Sequence, residues 1–188
     1  MPALVQCALL HYQFEAIHPY LDGNGRLGRL LITLSLQAKG VLRTPLLYLS
    51  AYFDRERQQY YDQLFQVSAT GDWGVWLNYF LKGVEEQAKD ALSRARQVRH
   101  LHEGYKALLQ NSRESGNALL LLDVLFKQPY LTAPFASEEL EVTRAGARGI
   151  IERLTDLGIL RTVPNSWPHL FVAWRLLEII DAPSASDP

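Results

Sequence analysis

Apolar residues return every three or four positions from Leu4 to Ile17, at Leu4, Cys7, Leu10, Phe14 and Ile17. That spacing predicts one helix with those side chains on its buried face. Pro19 ends it, because the residue before a proline avoids helical geometry. Gly23 and Gly25 form a turn, and a second helix is expected from about Arg26 to Lys39. Its predicted buried face is Leu27, Leu30, Leu31, Leu34 and Ala38, with Gly40 as C-terminal cap. Residues 44–53, "TPLLYLSAYF", read as a loop and short turn. Residues 55–68 read as a helix. Asp72 is a good N-cap for a long helix from Trp73 to about Asn111, with a kink expected near Gly104. The later part of that helix is charged and reads as a solvated connector between two lobes.

The run "NSRESGN" (111–117) breaks the composition. After it the pattern predicts a helix at 118–127, a loop at 127–135, a short helix at 137–140 and a helix at 143–157. "GILRTV" then reads as a strand, "PNSWPH" as a turn, and "LFVAWRLL" as a strand running into a final helical turn. Helices followed by a two-stranded hairpin make a winged helix-turn-helix pattern. The expected fold is therefore mainly α. A helical core over 1–103 precedes a winged helix-turn-helix-like domain over 104–188, whose polar, Pro-rich tail is expected to fray.

Composition narrows the partners. The chain has 188 residues, 48% hydrophobic and 21% charged, with a net charge of −1. That is the make-up of a globular protein with a real core, and nothing global points to nucleic acid or an anionic membrane. Cys7 is the lone cysteine. No disulfide within the chain is possible, which suits a reducing cytoplasm, and no cysteine-rich metal site exists. The apolar runs, such as 118–122, are too short to span a bilayer. No signal peptide is expected at the start.

The stretch "HPYLDGNGRLGR", residues 18–29, interrupts the helical pattern. Gly23 to Gly28 fits the glycine spacing of dinucleotide-binding folds, but that fingerprint needs a preceding strand and a parallel sheet. Here a helix precedes it, and no P-loop motif is present. The residues suit a helix–turn–helix anion site instead. Gly23, Asn24 and Gly25 lead into a helix N-terminus, where backbone N–H groups and the helix dipole favour phosphate. Arg26 and Arg29 are three apart, on one side of the first helical turn, and can reach further along a polyphosphate. Asp22 offers one hard oxygen ligand, the usual way Mg²⁺ is held alongside water and phosphates. His18, at the turn entrance, is the residue type most used as a general base.

This stretch closely resembles the signature of the Fic family, H-P-F-x-x-G-N-G-R-x-x-R. His18, Pro19, Gly23, Asn24, Gly25, Arg26 and Arg29 match its fixed letters, Asp22 stands at its second variable position, and Tyr20 stands where the family usually has Phe. The resemblance extends over roughly residues 4 to 90, including "YLSAYF", "QYYDQL" and "GDW". It implies a Fic-type helical core and an enzyme moving AMP from Mg²⁺-ATP to a Ser, Thr or Tyr hydroxyl of a protein, the chain itself included. By match, His18 is the base and Asp22 holds Mg²⁺. Gly23, Asn24 and Gly25 bind phosphates, and Arg26 and Arg29 stabilise the departing pyrophosphate. Tyr60 or Tyr61 lines the adenine pocket, Tyr61 fitting better. The family's upstream β-hairpin flap and inhibitory helix are expected to be missing from this chain, because Met1 falls almost at the start of the first helix.

Other readings stay open. The same anion site can transfer another nucleotide or a phosphate, or the chain can be a winged-helix regulator with a relic site. His11 reads as a packing histidine. His100 and His102 point to different sides of a helix and read as solvated. Trp73, Trp76, Tyr79 and Phe80 read as core. Arg144, Arg148 and Arg153 lie on the candidate recognition helix, interleaved with Glu152 and Asp156. Residues 104–188 carry 8 Lys/Arg against 10 Asp/Glu, so docking or dimerisation is favoured over DNA binding.

Overall fold

The computed structural model describes residues 1–44, 47–112 and 114–182. The Pro-rich tail beyond Ala182 lies outside them. Among the described residues the chain is mostly helical, with one small sheet. Contacts divide it inside a long helix: Met1–Leu92 form one unit, and the second begins at Ser93.

The first unit contains α1 (Ala3–Ile17), α2 (Asn24–Ala38), α3 (Leu49–Arg55), α4 (Arg57–Thr70) and the first part of α5 (Trp73–Asn111). The Asp72 carboxylate accepts the Gly74 N–H at 2.9 Å and so starts α5. Helix α3 takes up residues 49–53 of the loop expected over 44–53, of which 45–46 lie outside the described residues. Leu49, Tyr52 and Phe53, at i, i+3 and i+4, are all buried, but seven residues are too few for the period to stand out.

The buried faces of α1 and α2 also differ from the expectation. Cys7, Ala8, His11 and Tyr12 are buried on α1, and Asn24, Gly28, Ile32 and Leu36 on α2. Leu10, Ile17, Leu27, Leu30 and Leu34 are exposed. The reason is close approach between the helices. A Cβ on Gly28 would overlap the Glu15 carboxylate and stand 3.2 Å from His11 Cε1. Positions 24, 28, 32 and 36 form one i+4 ridge, and it faces α1 because its small members allow contact there. Cys7 and His11 bond the Ile32 and Gly28 carbonyls across the seam. Behind it lies an aromatic core of Tyr52, Phe53, Tyr60, Trp76, Tyr79 and Phe80, with the Trp76 indole N–H donating to Ala8 O at 3.0 Å. Trp73, expected in this core, lies at its edge, 39% exposed, against Tyr12.

The second unit continues with the rest of α5, which brings Val98, Leu101, Tyr105 and Leu109 to an aliphatic core. Then come α6 (Gly116–Leu125), β1 (Tyr130–Thr132), α7 (Ala133–Glu139), α8 (Arg144–Asp156), β2 (Arg161–Thr162), β3 (Leu170–Val172) and α9 (Trp174–Asp181). The sheet is antiparallel in the order β1-β3-β2, with Leu131 opposite Phe171 and Arg161 opposite Val172. The expected 127–135 loop thus contains a strand and the start of α7. Three residues are too short to show alternation, and β1 exists through its pairing with β3. Thr143 caps α8 by accepting the Gly146 N–H at 3.1 Å. The expected final turn is an eight-residue helix. His102, expected to be solvated, bonds Asp123 at 2.7 Å and sets its ring against the Phe126 ring. Among the described residues no helix is long and apolar enough to cross a membrane.

Candidate active site

Helix α1 ends where the His18 N–H bonds Phe14 O at 3.0 Å, with His18 in left-handed geometry at φ 48. For a residue with a Cβ that conformation is uncommon, and it is tolerated where surrounding structure enforces it. Here Pro19 follows, and Asn24 closes the loop. Asn24 is buried; its Oδ1 accepts the Tyr20 N–H at 3.0 Å and its Nδ2 donates to Tyr20 O at 2.6 Å. The amide side chain therefore braces the turn and leaves only its backbone N–H for a ligand. His18 stays exposed at the entrance.

Gly23 has φ +83, a region glycine enters without steric cost. Its N–H is held by Asp22 Oδ1 at 2.7 Å. Helix α2 has no side-chain cap, and its first backbone bond runs from Leu27 N–H to Gly23 O. The N–H groups of Asn24, Gly25 and Arg26 precede that ladder and face out of the helix end. At Gly25 nothing lies within 4 Å of where a Cβ would stand, so the approach is open.

Two ion pairs border this helix end. Arg26 stands 3.3 Å from the second Asp22 oxygen, with both side chains largely in solvent; such a pair is weak and easily exchanged for a ligand. Arg29 pairs with Asp54 of α3, also at 3.3 Å. Both arginines line one cavity of about 350 Å³, together with Thr33, Tyr48, Ser50 and Asp54. Tyr61 does not line it; its ring is half-exposed, with the Arg57 guanidinium 5.9 Å from its centre. Tyr60 belongs to the core, with its O–H 3.0 Å from His11 Nε2.

The His11 contacts fix its tautomer. The Gly28 carbonyl can only accept, so Nδ1 carries the proton and donates to it at 3.0 Å, while Nε2 accepts from Tyr60. Burial pushes the His11 pKa down to about 4, against the opposing effect of the Gly28 bond. Glu15, one turn before His18, has its pKa raised by burial, while the positive charges of His18 and Arg29 pull the other way. Its Oε1 is buried without a hydrogen-bond partner among the described residues.

Sequence reasoning missed Asp54, Tyr48 and Glu15. Glu15 had a signal, its i,i+3 spacing to His18. Asp54 and Tyr48 had none while α3 went unrecognised. Among the described residues no three His, Cys, Asp or Glu side chains cluster as a metal site. The single exposed carboxylate of Asp22 fits a hard cation whose other ligands are water and phosphate oxygens.

Residues 1–36 match the model of the Fic/DOC family. A protein adenylyltransferase, fic-1, from Caenorhabditis briggsae is 33% identical over 85 residues, covering 45% of this chain and 15% of that protein. A crystal structure of a Fic family protein from Desulfovibrio desulfuricans G20 is 20% identical and covers 92% of this chain and 50% of that one, with a TM-score of 0.49.

Proposed function

We propose that this chain, whose residues 1–36 match the Fic/DOC family model, is a Fic-type enzyme that transfers AMP from ATP to a Ser, Thr or Tyr hydroxyl of a protein. The observation that carries this reading is the convergence at one helix end. Uncapped N–H groups, two guanidiniums bordering one cavity, an exposed carboxylate and an exposed histidine all lie within residues 18–29.

In this reading the N–H groups of Asn24, Gly25 and Arg26 hold phosphate oxygens. The hydroxyl oxygen bonds to the α-phosphorus and its proton passes to the His18 imidazole. The bond from the α-phosphorus to the bridging oxygen of the β-phosphate breaks, and pyrophosphate leaves. Arg26 and Arg29 stabilise the charge that gathers on it. Asp22 would hold Mg²⁺, which when bound neutralises phosphate charge. Two contacts must exchange on binding, Arg26 to Asp22 and Arg29 to Asp54. The adenine is assigned to the Tyr48 side of the cavity in preference to Tyr61, since Tyr48 lines it.

The second unit is read as a winged helix-turn-helix docking module, supported by its order helix, strand, two helices and hairpin. A reducing cytoplasm suits buried, unpaired Cys7.

The test is incubation with ATP labelled at either the α- or the γ-phosphate, read by intact mass, with and without added proteins. Gain of one AMP carrying the α-label, lost by a factor of about 10² to 10⁴ in His18→Ala, supports the proposal. Label from the γ-phosphate favours phosphate transfer. Label equal in both proteins, or none on any target, overturns His18 as the base of an AMP transferase.

A further inference from the structure

A cavity of about 560 Å³ in the second unit lies between α8 and the β2–β3 connection. Its volume falls in the range of small-molecule sites. Arg144 and Arg148, one helical turn apart on α8, form one side, and Trp167 and His169 of the connection form another. Ile151 of the aliphatic core and Phe171, packed against that core, also line it.

Three features set this cavity apart from a packing defect. Trp167 is 89% exposed, and its one ring contact among the described residues is with His169, edge-on with centroids 5.7 Å apart. Leaving so large an apolar ring in water forfeits its burial energy. The connection that presents it is tied down. Ser166 donates to Val163 O and accepts from the Leu170 N–H, both at 2.9 Å, and the Val163 N–H bonds Leu170 O at 2.8 Å. Finally, neither Arg144 nor Arg148 has an ion-pair partner among the described residues, whereas Arg153 of the same helix is paired with Glu114. Glu152 is the lone carboxylate in the lining.

We infer that this cavity is a binding site for a small anion carrying a flat aromatic ring. The ring stacks on Trp167 and the anionic group is held by the two guanidiniums, each able to donate in pairs to a phosphate or carboxylate. A tied loop and a helix face lose little freedom on binding, which favours affinity. Tracking of a nucleic-acid backbone is disfavoured, because residues 104–188 carry 8 Lys/Arg against 10 Asp/Glu and such tracking needs a basic surface.

Phenyl phosphate tests the inference on the full chain, with inorganic phosphate and phenol as the half-ligands. The fluorescence difference between the wild type and Trp167→Phe isolates the Trp167 signal from the other three tryptophans. Saturable quenching of that signal by phenyl phosphate is expected, weakened at least tenfold in R144Q/R148Q and by both half-ligands. Both substituted arginines are exposed, and an unchanged far-UV spectrum and melting temperature verify folding. Trp167→Ala, followed by calorimetry, should lose the same binding. Quenching that rises linearly without saturation, or equal affinity in R144Q/R148Q, overturns the site. Equal binding of inorganic phosphate reduces it to an anion site and refutes the role of the ring. Displacement by a short DNA duplex through the same arginines refutes the small-ligand assignment.

Discussion

The core of the first unit is aromatic and buries His11, Asn24 and Gln87, whereas the core of the second is aliphatic, led by Leu121, Leu122, Leu125, Ile151 and Leu154. Among the described residues the second unit buries no polar side chain to that extent. Two of the three polar groups in the first core grip the backbone of the 18–29 turn or the helix it opens. His11 holds Gly28 O, and Asn24 holds both polar atoms of the Tyr20 backbone. Buried hydrogen bonds of this kind specify geometry more than they add stability. The first core is built to aim a turn, the second to hold a fold together.

The largest effect expected from this contrast is on stability in the second unit. Leu121→Ala should cost about 2–5 kcal/mol by opening a cavity in the aliphatic core, measured by urea unfolding. ATP affinity should not change, since Leu121 lies in the other core.

In the first unit, pH should act through His11. Its folded pKa, about 4, is below its ordinary value, so the unfolded chain binds the proton first. The stability that neutral His11 supports is fully present above pH 6.5 and is lost as pH falls toward 4. The loss is about 3 kcal/mol by the linkage relation. Glu15, with its pKa raised, acts oppositely, taking up a proton on the folded side first and offsetting part of the loss near the acid end. Thermal melting across that range in wild type and His11→Gln checks this. The variant should show a shallower slope.

Gly28→Val should cost about 1–3 kcal/mol by overpacking the α1–α2 seam, where a Cβ already meets Glu15 and His11. Unlike Leu121→Ala, it should also weaken ATP binding by tilting the helix that carries Arg26 and Arg29. Calorimetry with ATP on both variants tests the contrast, and equal affinities would break it.

The smallest effect is expected at Asp54. Asp54→Asn frees Arg29 from its partner and should tighten ATP binding two- to fivefold, the scale of an exposed ion pair. Weaker binding would show that Asp54 supports the site instead.

The parts legible in sequence were those carried by local chemistry. The turn residues His18 to Arg29, the Asp72 and Thr143 caps and the long helix ending at Asn111 follow from residue types and spacing alone. The buried faces of α1 and α2 did not. Periodicity counts leucines, and here Leu27, Leu30 and Leu34 face outward because Gly28 makes the close contact with α1. Helix α3 and strand β1 were hidden by their shortness, and with α3 went Asp54 and Tyr48. Its place in the motif marks Asn24 as a ligand group. Only the fold reveals that its side chain is spent on Tyr20.

The most direct test of the account is an amide NMR titration of the full chain with ATP and Mg²⁺. The account predicts that the N–H signals of Asn24, Gly25 and Arg26 shift together and saturate at one affinity, and that Asp22→Ala weakens the effect. Signals that stay fixed at those three residues while others respond would contradict it, since the α2 end would then not be where the phosphates bind.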